Sequence, residues 1–156
     1  MVIEVLSKQE IPALVKLMHE VLPNIEYYPK PILMEFLKMY TLKFFKEMPK
    51  QKDSIILLSK EKDEITGFAF GWDDYGVYWL DWLGVKKEHR HKGIATELLK
   101  AFEKECKKRG SHKVHLDTSK TNFPAISCYL KNGYRIEGEL KKHWLKWDYV
   151  LLSKFI

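Results

Sequence analysis

Residues 85 to 96 read V-K-K-E-H-R-H-K-G-I-A-T, a basic, glycine-containing turn between an apolar run and a strongly patterned helix. The chemistry offered there is anion binding. The backbone N–H groups of His91, Lys92, Gly93, Ile94, Ala95 and Thr96 stand at a helix start, and Gly93 has no side chain to block a close approach. Arg90, Lys86 and Lys87 add positive charge, as solvated surface side chains also would. Two further positions suit proton transfer. Asp81 is the one charged residue in the apolar run 77–85, and a carboxylate there requires a cationic partner, strong hydrogen bonds or a shifted protonation equilibrium. It is therefore a candidate base, with a structural ion pair or cap as the alternative. Tyr129, on an apolar helical face with Ile126 and Leu130, carries a hydroxyl that could donate a proton or serve only in packing. Asp117, at the end of a second apolar run, is another candidate carboxylate, for which a turn role is the simpler reading.

The elements that position these residues follow from hydrophobic periodicity. Ala95, Leu98, Leu99, Phe102 and Cys106 form one stripe of a helix that begins after Gly93 and stops at Gly110 in a left-handed conformation. Lys113 to Asp117 is then a strand reached through a helical crossover and hence parallel to the preceding one. Upstream, Ile55–Leu58, Ile65–Trp72 and Val77–Val85 read as a meander joined by the charged turn at 60–64 and the turn Asp73–Gly76. In the third strand a strict period of two puts Val77, Trp79, Asp81, Leu83 and Val85 on one face and Tyr78, Leu80 and Trp82 on the other. Before the meander, Ser7 and Glu10 form a capping box for a helix ending near Pro23. Pro31 starts a second helix, predicted to run unbroken through Leu33, Leu37, Tyr40, Phe44 and Met48 to a stop at Pro49. Asn122 caps a short helix from Phe123 to Lys131, and strands at Tyr134–Leu140 and about Leu145–Phe155 close the chain.

A chain of 156 residues with 46% hydrophobic content is long enough to bury a core without disulfides or metal, so residues 1–156 are expected to form a single domain. A net charge of +6 favours an anionic partner without choosing among nucleic acid, membrane, acidic protein and a phosphorylated cofactor. Two cysteines and no recognisable leader or membrane-length apolar run point to a cytoplasmic protein. Cys106, His112 and His115 match no standard zinc spacing, so no metal is expected. Cys128 has no positioned base to make it a nucleophile.

Arg90-x-x-Gly93-x-Ala95 after an apolar strand resembles the acyl-CoA signature of the GNAT N-acetyltransferase family. Asn122, Ala125, Tyr129 and Gly133, read as N-x-x-A-x-x-x-Y-x-x-x-G, resemble that family's second block, in the right order and on the right elements. The resemblance covers about residues 54 to 155 and implies a mixed α/β fold: one mostly antiparallel, twisted sheet of about six to seven strands, helices on both faces, and a parallel strand pair opening around the acyl-CoA. It implies acetyl-CoA as cofactor, held by the 90–96 turn, with the backbone of Leu83, Gly84 and Val85 pairing the pantetheine arm, an N–H near Leu83 polarising the thioester, Tyr129 as general acid and Asn122 nearby. The chain departs from the family at the usual glutamate base position, where Trp79 stands, so the base passes to Asp81.

These readings predict direct acetyl transfer to a primary amine of a small molecule, a polyamine or a protein N-terminus. Tyr27, Tyr28, Trp79 and Asp81 are the expected acceptor contacts, in a monomer or homodimer binding neither nucleic acid nor membrane. The rivals are a CoA-sensing or scaffolding domain without turnover and a basic nucleic-acid-binding protein. The second lacks a stacking platform to accompany its scattered lysines.

Overall fold

A computed structural model describes residues 1–51, 53–62 and 64–156. The strands are β1 (Val2–Val5), β2 (Ser54–Glu61), β3 (Glu64–Asp74), β4 (Val77–Val85), β5 (Lys113–Ser119), β6 (Arg135–Leu140) and β7 (Tyr149–Phe155). The helices are α1 (Ile11–Val21), α2 (Lys30–Met39), α3 (Leu42–Gln51), α4 (Ile94–Lys108) and α5 (Phe123–Lys131). All seven strands lie in one sheet of order β1-β2-β3-β4-β5-β7-β6. Among the described residues only β4 and β5 run parallel, as the helical crossover between them requires. β7 inserts between β5 and β6, a placement no local pattern announces.

Both faces of the sheet are covered. Alternate residues of β2 point to opposite sides: Ile55 and Leu57 pack with Leu98, Leu99 and Phe102 of α4, while Ile56 and Leu58 join Leu14, Met18, Leu37 and Phe45 of α1 to α3. The expected stripe of α4 is buried, from Leu98 to Cys106, and Gly110 ends it at φ +82°. Ser7 donates from its backbone N–H and its hydroxyl to Glu10 Oε2 at 2.9 and 2.6 Å, which starts α1 where the sequence places it. The turn between β3 and β4 has Tyr75 at φ +55° and Gly76 at φ +85°, the double positive-φ pattern of a two-residue hairpin. The β2–β3 turn expected at 60–64 includes Asp63, which lies outside the described residues.

Three expectations are corrected. The helix predicted from Pro31 to Pro49 is two helices, broken at Tyr40 (φ −85°, ψ +71°), with Pro49 inside the last turn of the second. The break turns the Tyr40 hydroxyl onto Asp81, and Thr41 Oγ1 accepts from Phe44 N at 3.3 Å to restart the helix. The strict alternation of β4 also fails. Phe70 pairs Trp82 but Gly71 pairs Leu80, so Asp81 is the extra residue of a β-bulge, which reverses the faces beyond it. Tyr78 and Leu80 before the bulge, and Leu83 and Val85 after it, all face α4, whereas Trp82 faces the α1–α3 side. Finally, the last strand begins at Tyr149, not near Leu145; residues Trp144–Lys146 form a helical turn with Leu145 and Lys146 at positive φ.

Candidate active site

β4 and β5 pair at only two positions, Tyr78↔Val114 and Trp79↔His115. Beyond them the strands part, and a cavity of about 710 Å³ opens between them. The bulge at Asp81 directs β4 away, and Tyr28 occupies the edge of β5 that β4 has left. Its hydroxyl accepts from Ser119 N at 2.9 Å and lies 3.2 Å from Thr118 Oγ1. A strand edge that would otherwise leave a buried N–H unpaired is thus satisfied by a side chain. Asp81 and Asp117 each stand two residues past the last ladder pair, one on either strand, and both line the cavity.

Asp81 is held from two sides. Tyr40 donates to Oδ2 at 2.8 Å and Trp79 Nε1 to Oδ1 at 3.3 Å, while Trp82 Nε1 donates in turn to the Tyr40 oxygen at 2.8 Å. Burial, followed by the field of Asp81, holds the Tyr40 hydroxyl well above the usual tyrosine range, so it remains a donor. Asp117 is enclosed, with a side chain 9% exposed. Trp144 Nε1 donates to its Oδ2 at 2.8 Å and His143 Nε2 lies 3.8 Å away. Burial pushes this carboxyl up to about 6, against the smaller opposing effects of Trp144 and His143. Trp79 also packs edge-on against His115, at 4.7 Å between rings.

Tyr129 reaches the same cavity from α5 and is 8% exposed. Its hydroxyl donates to no group among the described residues, and burial holds its proton well above the ordinary tyrosine range. Asn122 caps α5 through Ala125 N at 3.4 Å and donates to Thr118 Oγ1 at 3.1 Å, linking that helix to the end of β5. Tyr28, Trp79, Asp81 and Tyr129 are therefore brought together, whereas Tyr27 does not line the cavity and uses its carbonyl to accept from Thr121 Oγ1. Leu83 lines the cavity as well. Gly84 is a packing requirement, since a Cβ there would lie 2.6 Å from the Phe68 ring.

The 90–96 turn lies at the far end of the β4 edge. Arg90 Nε donates to Val85 O at 3.2 Å, pinning the turn to the strand. His91 and Gly93 take φ +62° and +82°, which turns successive N–H groups to one side as in an anion-binding nest. Among the described residues, the N–H groups of residues 91 to 93 meet no acceptor. Those of Ile94, Ala95 and Thr96 belong to the first helical turn, where none has an intrahelical partner. A Cβ built on Gly93 would meet nothing within 4 Å, so the space beside it is open to a ligand. The Thr96 hydroxyl instead accepts from Asn132 Nδ2 at 3.3 Å. A negatively charged, strand-like ligand fits this path from nest to cavity.

Sequence reasoning missed Tyr40, which read as a core residue of one long helix, and Tyr149, Trp144 and His143, which lie far along the chain. No local pattern could have found the last three, because only β7 insertion beside β5 delivers them. Cys106 is buried in the α4 stripe, where burial raises its thiol far above the usual range.

The Acetyltransferase (GNAT) family pattern matches residues 18–134; the chain belongs to this family. Among curated proteins it is similar to the uncharacterized N-acetyltransferase YobR of Bacillus subtilis strain 168, with 31% identity over 90 residues, covering 58% of this chain and 36% of YobR. The chain thus spans about a third of that relative's length. Among solved structures, the PaiA N-acetyltransferase of Thermoplasma acidophilum, in complex with coenzyme A, superposes with a TM-score of 0.85 at 22% identity over the whole of both chains. The ribosomal-protein-S18-alanine N-acetyltransferase of Escherichia coli gives 0.78 at 16% identity, covering 99% of this chain and 93% of that one. These likenesses establish the fold. No helix among the described residues is long and apolar enough to cross a membrane.

Proposed function

We propose that this chain transfers an acetyl group from acetyl-CoA directly to a primary amine within a ternary complex. The observation that carries the reading is the parting of β4 from β5, with an unpartnered N–H nest at one end of the gap and Asp81 and Tyr129 on one cavity at the other. His91 to Thr96 would hold the pyrophosphate, and the free edge of β4 from Leu83 to Val85 the pantetheine arm. Bound there, acetyl-CoA supplies the activated thioester.

Asp81 would receive one proton from the acceptor ammonium, directly or through water, leaving the amine lone pair free to attack. The new N–C bond forms, the C–S bond breaks, and an N–H of the addition product releases a second proton to solvent. Tyr129 would give its proton to the departing sulfur and regain one from water, so that ammonium and thioester become amide, thiol and one released proton. The donors on Asp81 hold it in one orientation, the preorganisation that proton transfer requires.

The test has two stages. Acetyl-CoA at about 100 times Kd should add about 2.7 kcal/mol of stability, read as a rise in Tm, and no rise would refute the cofactor reading. Transfer is then measured across an amine panel. Asp81→Asn should cut kcat while acetyl-CoA affinity is retained, and wild-type kinetics would remove Asp81 from the mechanism. Silence with every amine would favour the sensing-domain rival.

A further inference from the structure

We propose that the acceptor carries at least two ammonium groups, with the reacting amine on the Asp81 side of the β4–β5 gap and a second ammonium held by Asp117 and Tyr149. The inference rests on the acetyl-transfer reading and narrows its acceptor.

Charge is the first argument. The protein carries a net +6, yet four carboxylates, Glu35, Asp74, Asp81 and Asp117, line the cavity against one lysine, Lys38. Lys38 is already paired with Glu35 at 2.5 Å. A monocation placed at Asp81 would leave Asp117 with only the His143 imidazole, 3.8 Å from Oδ2, to offset its charge in an enclosed site. A buried carboxylate is retained at low cost only when a cation reaches it.

The chemistry around Asp117 is the second argument, and it is independent of charge counting. Oδ2 is engaged by Trp144 Nε1, but Oδ1 accepts from no described residue. His143 Nε2 lies toward the occupied oxygen at 3.8 Å, beyond hydrogen-bond reach. Tyr149, 2% exposed and lining the cavity, has a buried hydroxyl with no hydrogen-bond partner among the described residues. Across β5 and β7 Asp117 pairs with Leu151, two residues from Tyr149, and the Tyr149 ring lies 6.0 Å from that of Tyr28 and 6.1 Å from that of His143, which brings these groups into one neighbourhood. The Tyr149 oxygen and Asp117 Oδ1 both have open acceptor capacity, and an ammonium supplies several N–H groups at once.

The walls fit the rest of such a molecule. The Tyr28 ring lies 6.2 Å from that of Trp82 and 6.0 Å from that of Tyr149 between centroids, and aromatic faces accept both methylene chains and cations. The equivalent positions of Asp81 and Asp117 on the two strands set them opposite one another across the gap. In a closed parallel pair they would be nearest neighbours, roughly 4.8 Å apart, and the parting of the strands widens that spacing to admit a short linker between two amines. Linear diamines and aminoglycosides share this chemistry.

The experiment measures kcat/KM for n-butylamine, putrescine, spermidine and kanamycin at pH 8, and measures their binding to the protein–CoA complex by calorimetry. At least one dication should exceed n-butylamine by at least tenfold, and which one does so identifies the source. In Asp117→Asn, and less strongly in Tyr149→Phe, that ratio should fall towards unity, with coenzyme A affinity reporting an intact fold. A ratio that stays the same in Asp117→Asn overturns the subsite, whatever happens to the absolute rates. Equal or better use of the monoamine by wild type overturns the dication. If no amine is acetylated, binding decides: dication affinity lost in Asp117→Asn upholds the subsite while refuting acetyl transfer, and absent or unchanged affinity overturns the subsite.

Discussion

Replacing Asp117 by asparagine should stabilise this protein, and the gain should grow with pH. The folded state holds this carboxyl at about 6 against an ordinary value of 3.8. Between those values the folded state binds more protons than the unfolded state, so stability falls as pH rises through the window and the full penalty is present above it. The shift corresponds to about 1 kcal/mol at pH 4.5 and about 3 kcal/mol at pH 8. Asparagine keeps an oxygen for the Trp144 Nε1 bond, carries no charge at any pH, and removes that penalty. At about 2–4 °C per kcal/mol for a chain of this size, Tm should rise by up to roughly 6–12 °C at pH 8, and by about a third as much near pH 4.5. Thermal unfolding of both proteins across this range, without ligand, checks the sign and the slope. A Tm difference that is zero, negative or independent of pH would show that Asp117 is already compensated in the folded state.

The remaining predictions bear on other parts of the site. Tyr129→Phe should lower kcat by about 10²-fold or more with acetyl-CoA affinity unchanged; unaltered turnover would return Tyr129 to the core. Gly93→Ala should cost about 1–2 kcal/mol through its positive φ alone, since its Cβ meets nothing; chemical denaturation reads that cost, and calorimetry should find coenzyme A binding weakened. Gly71→Ala should be far worse, because its Cβ would lie 1.9 Å from the Trp79 carbonyl oxygen beside the bulge. More than about 3 kcal/mol of lost stability is expected, with reduced yield of folded protein, and a well-folded variant of near wild-type Tm would contradict the packing described.

The legible part of this protein is what local chemistry dictates. The α4 stripe, the glycine start at Gly93 and left-handed stop at Gly110, the Ser7–Glu10 box, the Asn122 cap and the meander all follow from period, capping and φ preference, which act over a few residues. The helix crossover likewise implies the parallel pair, and the two spaced motifs carry the family resemblance. Tertiary structure decided the rest. Asp81 became a bulge only because Gly71 allows β4 to press against β3 there, and the face reversal that follows contradicts any strict period of two. Tyr40 breaks a helix whose stripe reads as continuous, because its hydroxyl meets a carboxylate 41 residues later. Asp117, Trp144 and Tyr149 converge through the insertion of β7 beside β5, a strand order set by pairing across the whole sheet. Sequence by itself thus determined the basic, glycine-containing turn and the helix it opens. Which carboxylates face the gap, and what surrounds them, required contacts between residues distant in the chain.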